Sequence, residues 1–216
     1  MIKAMIFDLD GTLLDSVETI YEVWMRFCDR LNLKRLDLTS FKQYYDTDWI
    51  DFGRTILQKD ISIGTKEHQL WMDIYNQLRD KVALHPGIKD FLRRLKEENY
   101  KVALVTGGNR DRVRKELARF GILDYFDAIL THEDVLVPKP SPVGLLVTAK
   151  RLGVSPHECV YIGDMMGDVV AARNAGMFAV AVDWGFHGKN QLRSAGALHI
   201  AQSVYDLNYL LKNIGE

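Results

Sequence analysis

Short apolar runs recur along the chain and alternate with segments whose apolar residues are spaced three and four positions apart. The apolar runs span 4–9, 101–106, 128–131, 159–163 and 178–182. Each run has the length and bulk of a parallel strand that is buried on both faces. The helically spaced segments span 88–98, 110–120, 141–152 and 168–175. This alternation predicts an α/β fold with a doubly wound, mostly parallel sheet, a Rossmann-like core.

The segment 16–84 interrupts the alternation because it contains no convincing strand. It contains three amphipathic stretches, enough for three or four helices, over 17–31, 41–57 and 66–81. We therefore expect an α/β core domain formed by residues 1–15 and 85–216, with an inserted α-helical cap formed by residues 16–84.

Composition excludes several classes of protein. The chain has 216 residues, of which 47% are hydrophobic and 26% charged, as in ordinary globular proteins. Its 28 Lys and Arg against 29 Asp and Glu give a net charge of -1, so no overall basic field would hold a nucleic acid. The basic segment 110–119 alternates with acids and apolar residues, and we interpret it as a solvated helix face. Nucleic acid is therefore not an expected partner.

The expected location is the cytoplasm. Apolar stretches fall far short of the roughly 20 residues of a membrane-spanning helix, and no signal peptide is evident. Cys28 and Cys159 are too few for a disulfide framework, and their spacing does not match a zinc site. The sequence thus predicts a soluble protein without a membrane partner, and its composition fits a monomer or a homodimer equally well.

Polar residues follow the predicted strands at their carboxyl ends, where open α/β sheets bind ligands. The set comprises Asp8, Asp10, Gly11, Thr12, Thr106, Gly107, Gly108, Asp164 and Asp168, with Lys139-Pro140 ahead of a helix. Taken singly, each has an ordinary structural explanation: Asp164 could cap a helix, Asp168 could favour a helix N-terminus, and Lys139 could be a solvated side chain. Their order at successive strand ends favours one shared site.

Two carboxylates two positions apart project to the same side of an extended strand end, which places Asp8 and Asp10 in one cleft. One suits a nucleophile that forms an aspartyl-phosphate, and the other suits a general acid and base. With Asp164 added, the crowded acids predict a Mg²⁺ site. We expect Lys139, the Thr106 hydroxyl and the amides around Gly107 to bind the phosphate.

The motifs Asp8-Leu9-Asp10-Gly11-Thr12, Thr106, Lys139-Pro140 and 163–168 resemble those of the haloacid dehalogenase superfamily, in family order. Within it, the chain is similar to the phosphoglycolate phosphatase and beta-phosphoglucomutase type with a helical cap. The resemblance implies that Asp8 is the nucleophile and Asp10 the acid/base and a Mg²⁺ ligand through its backbone carbonyl. It also implies that Asp164 is a Mg²⁺ ligand, that Asp168 is a ligand or orients Lys139, and that the cap is a mobile lid. One departure is Gly107-Gly108-Asn109-Arg110 after Thr106, where the phosphatases have an Asn-Lys pair.

Most aromatic residues of the insertion are expected to form its own core. The stretch 44–54 is the best candidate to face the cleft, with Arg54 as a possible clamp for a second anionic group of the substrate. Three histidines, His85, His132 and His187, lack the spacing of a zinc site and are assigned to loops or packing.

The predicted function is a Mg²⁺-dependent phosphatase for a small phosphorylated metabolite, either phosphoglycolate-like or a sugar phosphate. A phosphosugar mutase, or a pyrophosphatase or nucleotidase, is an alternative on the same fold. An inactive regulatory binding module is the alternative outside enzymes, and the concentration of acidic groups counts against it.

Overall fold

A computed structural model describes residues 1–45, 49–135 and 137–214. The strands in these ranges are β1 (Ala4–Phe7), β2 (Leu14–Asp15), β3 (Ala83–Leu84), β4 (Lys101–Val105), β5 (Ala128–Leu130), β6 (Cys159–Gly163), β7 (Phe178–Val182) and β8 (His199–Ala201). Six of them form one sheet in the order β5-β4-β1-β6-β7-β8, and every pair in it is parallel. The predicted α/β fold with a parallel sheet is confirmed.

The helices in the described ranges are α1 (Val17–Arg30), α2 (Leu38–Tyr44), α3 (Trp49–Thr55), α4 (Lys66–Leu78), α5 (Ile88–Glu97), α6 (Arg110–Arg119), α7 (Val143–Leu152), α8 (Met166–Asn174), α9 (Lys189–Ser194) and α10 (Val204–Asn213). None of them is long and apolar enough to cross a membrane.

Alternate side chains of β1 pack on opposite faces of the sheet. Met5 and Phe7 join one cluster of buried apolar residues, whereas Ala4 and Ile6 join another. Helices α5 and α10 cover the first face, and α7 and α8 the second. Burial on both faces explains why the central strands are continuous apolar runs. Because the strands run parallel, their carboxyl ends lie at one common edge of the sheet.

The predicted helical insertion is confirmed as α1 to α4, which lie between β2 and β3. These two short strands pair antiparallel, with Leu14 opposite Leu84. The predicted helical stretch 41–57 contains α2 and α3, and residues 46–48 between them lie outside the described residues. The insertion therefore enters and leaves the core at a single place.

The insertion has its own aromatic core, as expected. Trp24 is fully buried, and its ring lies 5.4 Å from Phe27, 4.8 Å from Phe52 and 5.9 Å from Trp71, centroid to centroid. These rings meet mostly edge to face or tilted, the arrangements that aromatic pairs favour.

Candidate active site

The predicted carboxylates meet at the carboxyl edge of the sheet. Asp8 follows β1 and donates its backbone N–H to the Ile162 carbonyl at 2.9 Å, while Asp164 follows β6. One carboxylate oxygen from each of Asp8, Asp164 and Asp168 lies within 4.8 Å of the others, and all three residues are buried. We call these three residues the acidic cluster. Carboxylate oxygens of this kind are ligands for a hard divalent cation.

Burial and mutual repulsion make the acidic cluster unfavourable when all of it is ionised. Burial raises the pKa of Asp8 from 3.8 to about 7; the Asp168 and Asp10 charges raise it too, and Lys139 lowers it. Burial, followed by the charges of Asp168 and Asp8, raises the pKa of Asp164 well above its usual range. A bound cation would reverse both effects, because it stabilises the ionised forms.

Lys139 connects two members of the acidic cluster. Its Nζ donates to Asp8 Oδ1 at 2.7 Å and to Asp168 Oδ1 at 2.6 Å, and it lies 2.9 Å from the Tyr161 hydroxyl. Burial alone lowers the pKa of Lys139, but the negative charges of Asp168 and Asp8 outweigh it and raise the pKa well above its usual value. Lys139 is therefore a fixed cation beside the Asp8 carboxylate.

Asp164 and Asp168 are also held by the backbone and by neighbouring side chains. The Thr12 hydroxyl and the Phe186 N–H each donate to Asp164 at 2.7 Å. The Met165 N–H donates to Asp168 Oδ2 at 3.0 Å, at the start of α8. A Cβ on Gly11, whose φ is +80°, would lie 2.3 Å from Asp164 Oδ2. Glycine is required there by both conformation and space.

Arg112 is a residue of the site that the sequence analysis missed. Its guanidinium donates to both carboxylate oxygens of Asp10, with Nη1 at 3.1 Å from Oδ1. The Ser16 hydroxyl donates to the same oxygen at 2.9 Å. Arg112 is 5% exposed, so the interpretation of 110–119 as a solvated helix face is wrong at this position. Burial opposes its charge, but Asp10 and the Tyr75 oxygen outweigh burial and raise the pKa of Arg112 well above its usual value.

The loop after β4 supplies the remaining predicted groups. Thr106 is buried, and its hydroxyl accepts from the Gly108 N–H at 3.1 Å. Gly107 offers its carbonyl to the Trp49 indole N–H of the insertion at 3.1 Å. Thr106 and Gly107 line the same cavity as Asp8 and Lys139.

The structure does not bring Arg54 to this site. Its guanidinium lies 3.3 Å from Asp60 Oδ1 and 2.9 Å from the Ser62 hydroxyl. The Arg54 side chain is 55% exposed and does not line the cavity that contains Asp8.

Two of the three histidines assigned to loops or packing lie beside the site. His187 is fully buried: its Nδ1 accepts from the Met166 N–H at 2.9 Å, and its Nε2 lies 3.0 Å from the Lys42 carbonyl of the insertion. It therefore joins the core to α2. His132 lines the cavity, with its ring centroid 5.7 Å from that of Trp49.

Comparison with known proteins matches the family model for haloacid dehalogenase-like hydrolases over residues 5–182. The chain is 27% identical to a phosphoglycolate phosphatase of Nitrosococcus oceani, over 97% of this chain and 96% of that protein. It is 28% identical to pyrophosphatase PpaX of Bacillus velezensis, over 100% of this chain and 94% of that protein. It also resembles a solved hydrolase structure from Pseudomonas syringae, with a TM-score of 0.84, 27% identity, and coverage of 99% of this chain and 100% of that one.

Proposed function

Because the chain belongs to the haloacid dehalogenase-like hydrolase family, we propose that it is a Mg²⁺-dependent phosphatase that acts on a small phosphorylated metabolite through Asp8. The observation that carries the proposal is the pairing of Asp8 with Lys139 inside the acidic cluster. A nucleophile, a fixed cation and a set of hard oxygen ligands in one buried site are the parts that phosphoryl transfer needs. Relatives named as phosphoglycolate phosphatase and pyrophosphatase support this reaction class.

The residues of the acidic cluster fit a Mg²⁺ ion. The donors are carboxylate oxygens, they lie close together, and burial leaves their negative charge poorly solvated. We assign the ion to Asp8 and Asp164, with Asp168 as a further ligand or as the partner that orients Lys139, and with the Asp10 carbonyl as expected from the family resemblance. When bound, Mg²⁺ supplies charge stabilisation to the phosphoryl oxygens and to the crowded carboxylates.

In the proposed reaction, an oxygen of the Asp8 carboxylate attacks the phosphorus atom and the bond from phosphorus to the ester oxygen breaks. Asp10 gives its proton to the leaving alcohol oxygen. Water then attacks the phosphorus atom of the aspartyl-phosphate while Asp10 accepts a proton from it. The bond from phosphorus to the Asp8 oxygen breaks, which regenerates the Asp8 carboxylate and releases inorganic phosphate. Lys139 offsets the negative charge that develops beside Asp8, and the Thr106 hydroxyl and Gly107 amide donate to the phosphoryl oxygens.

Arg112 and Ser16 fix the Asp10 carboxylate in the form that accepts the proton from water. To carry the proton that the leaving alcohol receives, one Asp10 oxygen must first exchange its contact with Arg112 for that proton. A residue held by three hydrogen bonds loses little further freedom when the substrate binds. We assign the face that closes over the substrate to the insertion, residues 16–84, because α3 and α4 contribute Trp49 and Trp71 to the cavity.

The test is release of inorganic phosphate from a panel of phosphorylated metabolites with Mg²⁺. Wild-type protein is expected to release phosphate, and Asp8→Asn is expected to lose at least about 10³-fold in kcat, as the loss of a covalent nucleophile does in other enzymes. Glu98→Gln, an exposed acid-to-amide change at the end of α5, is the matched control. Turnover by Asp8→Asn at the wild-type rate, or full activity in excess chelator, would contradict the proposal.

A further inference from the structure

The cavity that contains Asp8 and Lys139 continues into the helical insertion. On that side its walls are Ile20, Tyr45, Trp49, His68, Trp71 and Met72, and Phe186 of the core lies beside them. In the proposed reaction the phosphoryl group binds beside Asp8 and Lys139, so the alcohol portion of the substrate would lie against these residues. The chemical character of these lining residues therefore determines which alcohol portion the site prefers.

The insertion side of the cavity carries no Lys or Arg among its described lining residues. The lining cations are Lys139 and Arg112, and both are already bound to aspartates. Burial lowers the pKa of His68, which keeps this imidazole neutral near pH 7. A second negative group on the substrate would thus lose its water without gaining a cation from the insertion, which is costly.

Aromatic rings dominate the same side. The Trp49 ring lies 5.2 Å from that of His68 and 6.3 Å from that of Trp71, centroid to centroid, while Tyr45 stacks on Phe186 at 5.0 Å. Rings gain roughly 0.5–1.5 kcal/mol in aromatic pairs beyond the burial of their area. An aromatic alcohol portion therefore fits this surface better than a saturated one of the same size.

Two buried ring nitrogens on this side lack a partner. Trp71 Nε1 and His68 Nε2 have no hydrogen bond to any residue that the structure describes. Both side chains line the cavity and are more than nine-tenths buried. Because these two nitrogens are themselves shielded from solvent, they leave the insertion side of the cavity apolar as well as uncharged.

We propose that this site prefers phosphate monoesters whose alcohol portion is an uncharged aromatic ring. The inference rests on the proposed phosphatase function. It separates this chain from enzymes whose substrates carry a second anion, such as phosphoglycolate or pyrophosphate.

The test compares kcat/KM for matched esters on the wild-type protein with Mg²⁺. 4-Carbamoylbenzyl phosphate and 4-carboxybenzyl phosphate have nearly the same shape and differ in charge, and the neutral ester is expected to be better by at least about tenfold. Benzyl phosphate is expected to exceed cyclohexylmethyl phosphate by about two- to tenfold, since the two leaving alcohols are alike in reactivity. Benzyl phosphate is also expected to exceed phosphoglycolate. If 4-carboxybenzyl phosphate and 4-carbamoylbenzyl phosphate have equal kcat/KM, the inference is wrong. It is also wrong if phosphoglycolate is a better substrate than benzyl phosphate. In both cases the proposed phosphatase function still stands.

Met72→Lys places a cation on the insertion wall. It is expected to raise the kcat/KM ratio of the carboxybenzyl ester to the carbamoylbenzyl ester by at least about tenfold. Leu198→Lys makes a similar change on the exposed surface, outside the cavity, and should leave the ratio unchanged. Equal ratios in the two variants, with folding verified by circular dichroism, would count against the inference.

A binding measurement keeps the inference testable if no ester is hydrolysed, the outcome that would defeat the proposed function. Tryptophan fluorescence can follow 4-carbamoylbenzylphosphonate and 4-carboxybenzylphosphonate, because Trp49 and Trp71 line the cavity. Tighter binding of the neutral phosphonate, by about tenfold, supports the proposed selectivity, and equal binding overturns it.

Discussion

Arg112 donates hydrogen bonds to both carboxylate oxygens of Asp10, although the two residues are 102 positions apart in the chain. The Arg112 side chain also lies 3.4 Å from the Tyr75 hydroxyl of α4, so it touches the insertion as well as the core. Its position makes Arg112 a positioning residue for the proposed acid and base.

Replacing Arg112 should therefore impair both stability and turnover. Arg112→Met leaves the Asp10 carboxylate without its cation, and breaking a largely buried pair of this kind costs about 3 kcal/mol in the free energy of unfolding. We expect kcat to fall by about 10- to 100-fold, measured by phosphate release, with unfolding followed in urea. Arg114→Met, an exposed change on the same helix, is the control. Equal losses in both variants would show that Arg112 has no special role.

Gly108 offers a second way to disturb Arg112. A Cβ at position 108 would lie 2.5 Å from Arg112 Nη2 and 2.9 Å from Val113 Cγ2. Gly108→Ala is expected to displace the guanidinium from Asp10 and to lower kcat by about tenfold, since small misplacements of catalytic groups are costly. At Gly188 a Cβ meets nothing within 4 Å, so Gly188→Ala should retain the wild-type rate. A wild-type rate for Gly108→Ala would mean that Arg112 does not need this space.

The acidic cluster predicts how stability depends on pH without metal. The pKa of Asp8 is about 7 in the folded protein and 3.8 is its ordinary value, so between these pH values the folded state holds a proton that the unfolded chain has lost. With metal removed by a chelator, the contribution of Asp8 to the free energy of unfolding should therefore fall as the pH rises from about 4 to 7. The check is the difference in Tm between wild type and Asp8→Asn, measured at pH 5 and pH 7.5 in chelator.

Adding Mg²⁺ is expected to raise the wild-type Tm more at pH 7.5 than at pH 5, because the ion binds the ionised carboxylates. A pH-independent Tm difference between wild type and Asp8→Asn, with no response to Mg²⁺, would exclude the metal site.

Arg54 provides a prediction of no effect. It is exposed and held by Asp60 and Ser62, away from the cavity, so Arg54→Ala should leave kcat/KM and the ranking of substrates within about twofold of wild type. Phosphate release from the metabolite panel is the measurement. A selective loss with doubly charged substrates would restore Arg54 as an anion clamp.

The sequence was sufficient to locate the acids because a simple geometric rule connects them. Asp8 and Asp164 each follow a buried apolar run, and the carboxyl ends of parallel strands share one edge. The rule does not predict that Arg112 and Glu116 are buried, because the segment 110–119 has the composition of a solvated helix face. Their burial depends on what packs over α6: Tyr75 beside Arg112, and Arg79 against Glu116 at 3.4 Å.

Some elements were too short to be predicted. Strands β2 and β3 have two residues each, which is less than the periodicity of a strand requires. Strand β8 has three residues and begins with the polar His199, so it does not form an apolar run. Helices α9 and α10 also lay outside the predicted elements. The Ser203 hydroxyl accepts from the Asp206 N–H at the start of α10, and this serine was an available signal.

The pairing of Leu14 with Leu84 also matters for how such a protein can change over generations. Both ends of the insertion are anchored side by side, shortly after β1. Residues can therefore be added, lost or exchanged between them without altering the core sheet that positions Asp8 and Lys139. The cost of closing a longer loop grows only with the logarithm of its length. New selectivity can therefore arise in the helices while the reaction chemistry is inherited intact.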